Sequence, residues 1–214
     1  MNGPFPRLTL LVAAAALLVF VSGDLAAILQ YDRNAIMSGE LWRLLTGHLV
    51  HFSLPHLGFD LLAFAVAGWG IERRGYPLFG WLLAGSAFAI SFAMFLWLPP
   101  LRVYGGLSGI VFAALFYLAL WEIASDGAWR YTAVFVAIVL AGKVALEFYS
   151  GSSFLMQLRK EDFVPVPLSH AVGMATAFAL FAGGWLGKRR KVKGASVKEA
   201  SARGKRISPG LPGR

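Results

Sequence analysis

An all-α membrane protein, folded as a bundle of six transmembrane helices, is the fold class this sequence predicts, and three observations predict it. Of 214 residues, 57% are hydrophobic and 14% charged, and the mean hydropathy is +0.64, too apolar for a soluble domain. The apolar residues are gathered into long runs, as a bilayer requires. Each run ends at charges, prolines or glycines.

The first run, Leu8 to Leu29, carries Val21-Ser22-Gly23, which resembles a signal-peptide cleavage site. Apolar character continues through Leu25, Ala26, Ala27 and Ile28, so an uncleaved helix is expected. The second and third runs are His56 to Ile71 and Pro77 to Leu98. The fourth, Ser108 to Trp121, is short for a span, so Leu101 to Leu107 has to dip into the protein to reach its start. Gly105 and Gly106 allow that descent, because non-helical backbone is tolerated at depth only when buried in protein or lining a cavity. The fifth and sixth runs are Trp129 to Tyr149 and Leu168 to Leu186. Neither an internal repeat nor a second domain is visible, so residues 1–187 form one membrane domain followed by the tail 188–214.

Charge sets the expected orientation. Ten of the twenty Lys and Arg residues fall in Lys188 to Arg214, a stretch broken by Gly, Ser and Pro that is expected to be disordered. Together with Arg7, Arg73, Arg74 and Arg130 they place fourteen basic residues on one side of the membrane. Arg33, Arg43, Arg102, Arg159 and Lys160 make five on the other, and Lys143 lies inside the fifth run. The positive-inside rule puts both termini in the cytoplasm. A basic juxtamembrane tail meets anionic lipid before nucleic acid, so lipid is the expected partner and nucleic acid is not. With no cysteine, disulfides and thiolate metal sites are excluded.

Depth follows from the helical rise. Counting from Glu122 to Ser108 gives roughly 21 Å, from Lys188 to His170 roughly 27 Å, and from Glu72 to Asp60 and His56 roughly 18 and 24 Å. Four chemically capable groups from three helices therefore share one layer in the outer half of a core about 30 Å thick. A serine hydroxyl is a poor nucleophile until a base takes its proton, and a histidine within a span is functional by default.

These residues resemble the rhomboid family of intramembrane serine proteases. The resemblance covers about residues 40–186 and is carried, in order, by Trp42-Arg43, His51, His56 and Asp60, then Gly106-Leu107-Ser108-Gly109, then His170 with Gly173. It implies Ser108 as nucleophile and His170 as base, a dyad without a carboxylate partner and without a cofactor. It further implies an oxyanion hole formed by the Ser108 amide and the His56 side chain, with Trp42-Arg43 in the outer interface. The fifth helix is the implied gate, and single-pass transmembrane proteins are the implied substrates.

Two departures bear on mechanism. Asp60 stands where the family usually has asparagine. Burial could keep it protonated as a donor, or pairing with His56 could hold it ionised and strengthen that histidine as a donor, which is the favoured alternative. Phe112 stands where many relatives have tyrosine, so its ring can pack on His170 without a phenolic hydrogen bond. The small six-helix form, Asp60 and the Gly105-Gly106 doublet look like the rhombosortase branch. That branch implies cleavage of exported bacterial proteins at C-terminal signals of Gly-Gly, one apolar helix and a basic end, from the inner membrane with the site open to the periplasm.

Other readings of the same residues are open. Gly-x-Ser-Gly can serve close helix packing. His48, His51 and His56 could bind a metal with Asp60, but His48 and His51 precede the helix and no H-E-x-x-H is present, so no metal is expected. Lys143 and Glu147, spaced i to i+4, form either a ligand for a substrate tail at the gate or a neutralising ion pair. A relative that binds and escorts transmembrane helices without catalysis would keep the fold, and a small transporter would need repeats that the chain lacks.

Overall fold

The structure is a computed structural model that describes residues 3–125, 127–150 and 166–206, with side chains as far as Lys188. Each apolar run forms helix. The first is divided into α1 (Arg7–Ser22) and α2 (Asp24–Leu29). Gly23 between them has φ 56°, a left-handed conformation that interrupts the hydrogen-bond ladder, and Asp24 opens α2 where a negative charge suits a helix N-terminus.

A compact linker follows: strand β1 (Tyr31–Asp32), short helices α3 (Arg33–Met37) and α4 (Arg43–Thr46), and a 3-10 turn at Gly47–Leu49. Asp32 caps α3 by accepting the amides of Asn34 and Ala35 at 2.9 and 3.0 Å. Helix α5 (Leu54–Arg73) starts two residues before the expected His56, because Ser53 caps it and Pro55 suits its first turn. Then come α6 (Phe79–Trp97), β2 (Val103–Tyr104), α7 (Ser108–Ala124), α8 (Arg130–Ser150) and α9 (Pro167–Arg206).

Among the described residues, four helices are long and apolar enough to cross a membrane: α5, α6, α8 and the Pro167–Lys188 part of α9. Helices α1 and α7, of 16 and 17 residues, are apolar but shorter. At about 1.5 Å per residue α7 extends only ~26 Å, and Gly105, Gly106 and Leu107 leading into its serine end are buried. Beyond Lys188, in the stretch the sequence expects to be a disordered tail, the backbone is described as helix as far as Arg206. Ala, Lys, Arg and Glu dominate that stretch and are strong helix formers, so composition that cannot bury a core can still continue a helix. Arg159 and Lys160, expected on the side opposite the tail, and the last eight residues lie outside the described residues.

Helix α7 is the centre. It packs against α5, α6, α8 and α9, burying Ile110, Val111, Ala113, Ala114 and Tyr117. Outer faces are apolar instead: Leu62, Trp81, Phe135 and Ile138 are each at least 65% exposed, the pattern of a surface that meets lipid. At the end opposite Ser108, Glu122 receives Arg74 Nη1 and the Tyr76 hydroxyl at 2.9 and 2.7 Å. Burial, reinforced by Glu122, pushes the Tyr76 phenol up to about 12. Glu72 ties α1 to α5 by accepting the Leu8 and Thr9 amides at 3.0 and 2.8 Å, two donors that a helix start leaves unsatisfied.

Candidate active site

The segment leading into α7 descends under three constraints. Strands β1 and β2 pair antiparallel, Tyr31 opposite Tyr104 and Asp32 opposite Val103, which ties the descent to the linker. The Tyr104 hydroxyl donates to the Gly106 carbonyl at 3.2 Å, and burial pushes that phenol up to about 12, keeping it a donor. Gly106 has φ 145°, and a Cβ there would lie 2.8 Å from His56 Cε1. Only glycine permits both that conformation and that approach.

Ser108 is the first residue of α7, so its amide has no acceptor within the helix and sits at the positive end of the helix dipole. Its Oγ lies 3.2 Å from His170 Nε2. The contact depends on close approach of α7 and α9. A Cβ on Gly173 would meet the Gly109 carbonyl oxygen at 2.3 Å, and one on Gly109 would meet Ile90 Cδ1 at 2.8 Å and Ser169 O at 3.1 Å. The glycines let the backbones touch, which brings serine and histidine within hydrogen-bond range. Phe112, one helical turn after Ser108, stacks on the His170 ring at 4.0 Å between centroids and 15° between planes.

The other side of the imidazole departs from the implied dyad. His170 Nδ1 lies 2.7 Å from Glu147 Oε2, and both residues are buried. Glu147 also pairs with Lys143, whose Nζ stands 4.8 Å from the Phe112 ring centre. The i to i+4 spacing had pointed to the ion pair but not to its third neighbour. That neighbour is set by how α8 lies along α9, which spacing within one helix does not encode.

Beside Gly106 lies a second cluster. Asp60 Oδ2 is 3.1 Å from His51 Nε2 and 3.3 Å from His56 Nε2, so one carboxylate oxygen faces two imidazoles, the arrangement of an acceptor. His51 Nε2 is also 3.4 Å from the Leu107 amide, which places this cluster against the backbone just before the serine. Among the described residues these three side chains bring potential metal-ligand atoms within 4.8 Å of one another. The same atoms are already engaged by hydrogen bonds.

Two linker residues behave differently from expectation. Trp42 is half-exposed, but Arg43 is buried and points inward. Its Nη1 donates to the Ala27 and Gln30 carbonyls, both at 2.9 Å, and its Nε to Glu40 at 2.7 Å. A guanidinium there satisfies carbonyls that the end of α2 leaves open. His48, to which the sequence assigned no role, donates from Nε2 to the Ala87 carbonyl at 2.9 Å and lies 3.0 Å from Ser91 Oγ, pinning the linker to α6. Burial pushes it down to about 4.

Fold and site define a class: an apolar helical bundle with a serine at a helix start, hydrogen-bonded to a histidine that a carboxylate supports. Residues 38–186 match the model of the rhomboid domain, about 70% of the chain, and the chain belongs to the rhomboid family. It is 34% identical over 122 residues to rhomboid protease GlpG of Enterobacter sp. (strain 638), covering 54% of this chain and 42% of that protein. Rhomboid protease GluP of Bacillus subtilis is 35% identical over 92 residues, 42% of this chain and 18% of that one. GlpG of Haemophilus influenzae is 27% identical over 150 residues, 67% and 77% respectively. The chain thus spans less than half the length of the Enterobacter and Bacillus relatives.

Proposed function

We propose that this protein is an intramembrane serine endopeptidase. The observation that carries the reading is the 3.2 Å approach of Ser108 Oγ to His170 Nε2 at the N-terminus of α7. Ser108 attacks a carbonyl of an unwound substrate segment while Nε2 takes its proton. The tetrahedral oxyanion is held by the Ser108 amide, aided by the helix dipole, and by the His56 ring beside Gly106. His170 then returns the proton to the leaving amine, and water, activated the same way, releases the acyl group.

The substrates are single-pass transmembrane proteins entering from lipid, and residues that weaken a helix near its top expose the carbonyl. Asp60 and the Gly105-Gly106 doublet support the finer reading of a rhombosortase that cleaves C-terminal Gly-Gly, apolar-helix, basic-end signals of exported proteins. We place the chain in a bacterial inner membrane, with six spans, both termini cytoplasmic and the site open to the periplasm, on the distribution of basic residues.

Fluorophosphonate labelling of the purified chain in detergent tests the chemistry. Wild type is expected to label, and Ser108→Ala and His170→Ala to lose labelling while keeping their thermal midpoints. A well-folded wild type that stays unlabelled, under conditions that label an active relative, would favour a helix-binding escort. Cleavage of a reporter ending in a Gly-Gly anchor, abolished by replacing both glycines with leucine, tests the substrate class.

A further inference from the structure

The buried carboxylate on α8 has no part in a serine–histidine dyad, yet it occupies the position that decides whether the dyad works. A neutral imidazole carries its proton on either nitrogen, and only the tautomer protonated at Nδ1 presents a bare Nε2 to a serine. His170 Nδ1 faces Glu147 Oε2 at 2.7 Å, while Nε2 faces Ser108 at 3.2 Å. Glu147 is 2% exposed, so its charge is withdrawn from water, and the Lys143 ammonium is paired to its other oxygen. The two rings complete the enclosure: Phe112 stacks on His170 and receives Lys143 over its face.

We propose that Glu147 is a positioning residue for His170 and that Lys143 is its counter-charge, an inference that rests on the protease reading above. An ionised carboxylate accepts hydrogen bonds and cannot donate them, so it selects the Nδ1-protonated tautomer and fixes the ring plane toward Ser108. When Nε2 takes the serine proton, the new positive charge forms beside Oε2 in a water-poor site, where the carboxylate stabilises it most. Lys143 balances the carboxylate at rest, because a buried unpaired carboxylate is costly. The nucleophile, the base and its support thus come from α7, α9 and α8.

The test measures fluorophosphonate labelling of the full chain over a range of probe concentrations, separating the maximal rate from the half-saturating concentration. Glu147→Gln keeps the side chain's size but can donate to Nδ1 and favour the wrong tautomer. It is expected to lower the maximal rate on the order of 10²-fold, leaving half-saturation and thermal midpoint near wild type. Glu147→Asp, which restores the charge, is expected to recover roughly tenfold over Gln. If Glu147→Gln does not fold because Lys143 is stranded, the Lys143→Met/Glu147→Gln pair removes both charges and is expected to show the same loss. A maximal rate within about threefold of wild type, in a folded Gln variant or in the folded pair, overturns the proposal. An unlabelled wild type overturns the protease reading itself, and this inference with it.

Discussion

Replacing Gly173 by alanine isolates the geometric basis of the site without touching any group that reacts. The added Cβ would start 2.3 Å from the Gly109 carbonyl oxygen, and atoms do not settle closer than 3.0 Å, so α9 must retreat from α7 by about 0.7 Å at least. If His170, three residues earlier on the same helix, moves by the same amount, its 3.2 Å contact with Ser108 opens to about 3.9 Å, beyond hydrogen-bond range. Overpacking of this kind costs about 1–3 kcal/mol, while a misplacement near 1 Å costs roughly 10²-fold in rate. Fluorophosphonate labelling is therefore expected to fall about 10²-fold in a variant whose thermal midpoint drops only modestly. Labelling at the wild-type rate, with Ser108 still required, would show that the glycine contact does not set the serine–histidine distance.

Gly106→Ala is expected to lose labelling, because φ 145° disfavours any side chain and the new Cβ would press on His56 at 2.8 Å; an unchanged rate would contradict that packing. Arg43→Ala is expected to destabilise the chain by about 1–3 kcal/mol, read from the thermal midpoint in detergent, since it leaves the Ala27 and Gln30 carbonyls unpaired. His48 supplies a pH dependence. Its folded value of about 4 lies below the ordinary 6.5, so protonation favours the unfolded chain. Its stability contribution is full above pH 6.5 and is lost as pH falls toward 4, a loss of about 3 kcal/mol in all. Comparing the midpoint across that range with His48→Gln, which should flatten the change, checks the sign.

The helices were legible because a bilayer demands long apolar runs, and each predicted run is helical. The break at Gly23 was not, since an isolated glycine is tolerated within a helix and composition does not say whether the helix stops there. Ser108 and His170 could be matched by counting rise along their helices, a one-dimensional measure that needs no packing. The resemblance implied an interface position for Arg43, but the open carbonyls of α2 hold its guanidinium inward.

By itself the sequence determined which runs become helices, that Ser108 and His170 lie near the starts of theirs, and which segment must be non-helical to reach Ser108. Only the tertiary structure decided what those groups touch: Glu147 on the far side of His170, Asp60 between two histidines, and Gly109 against Gly173. The physical reason is that hydropathy and helical rise fix a residue's position along a helix axis. Its partners depend on the rotation and approach of neighbouring helices, and those are set by side-chain packing across the whole bundle.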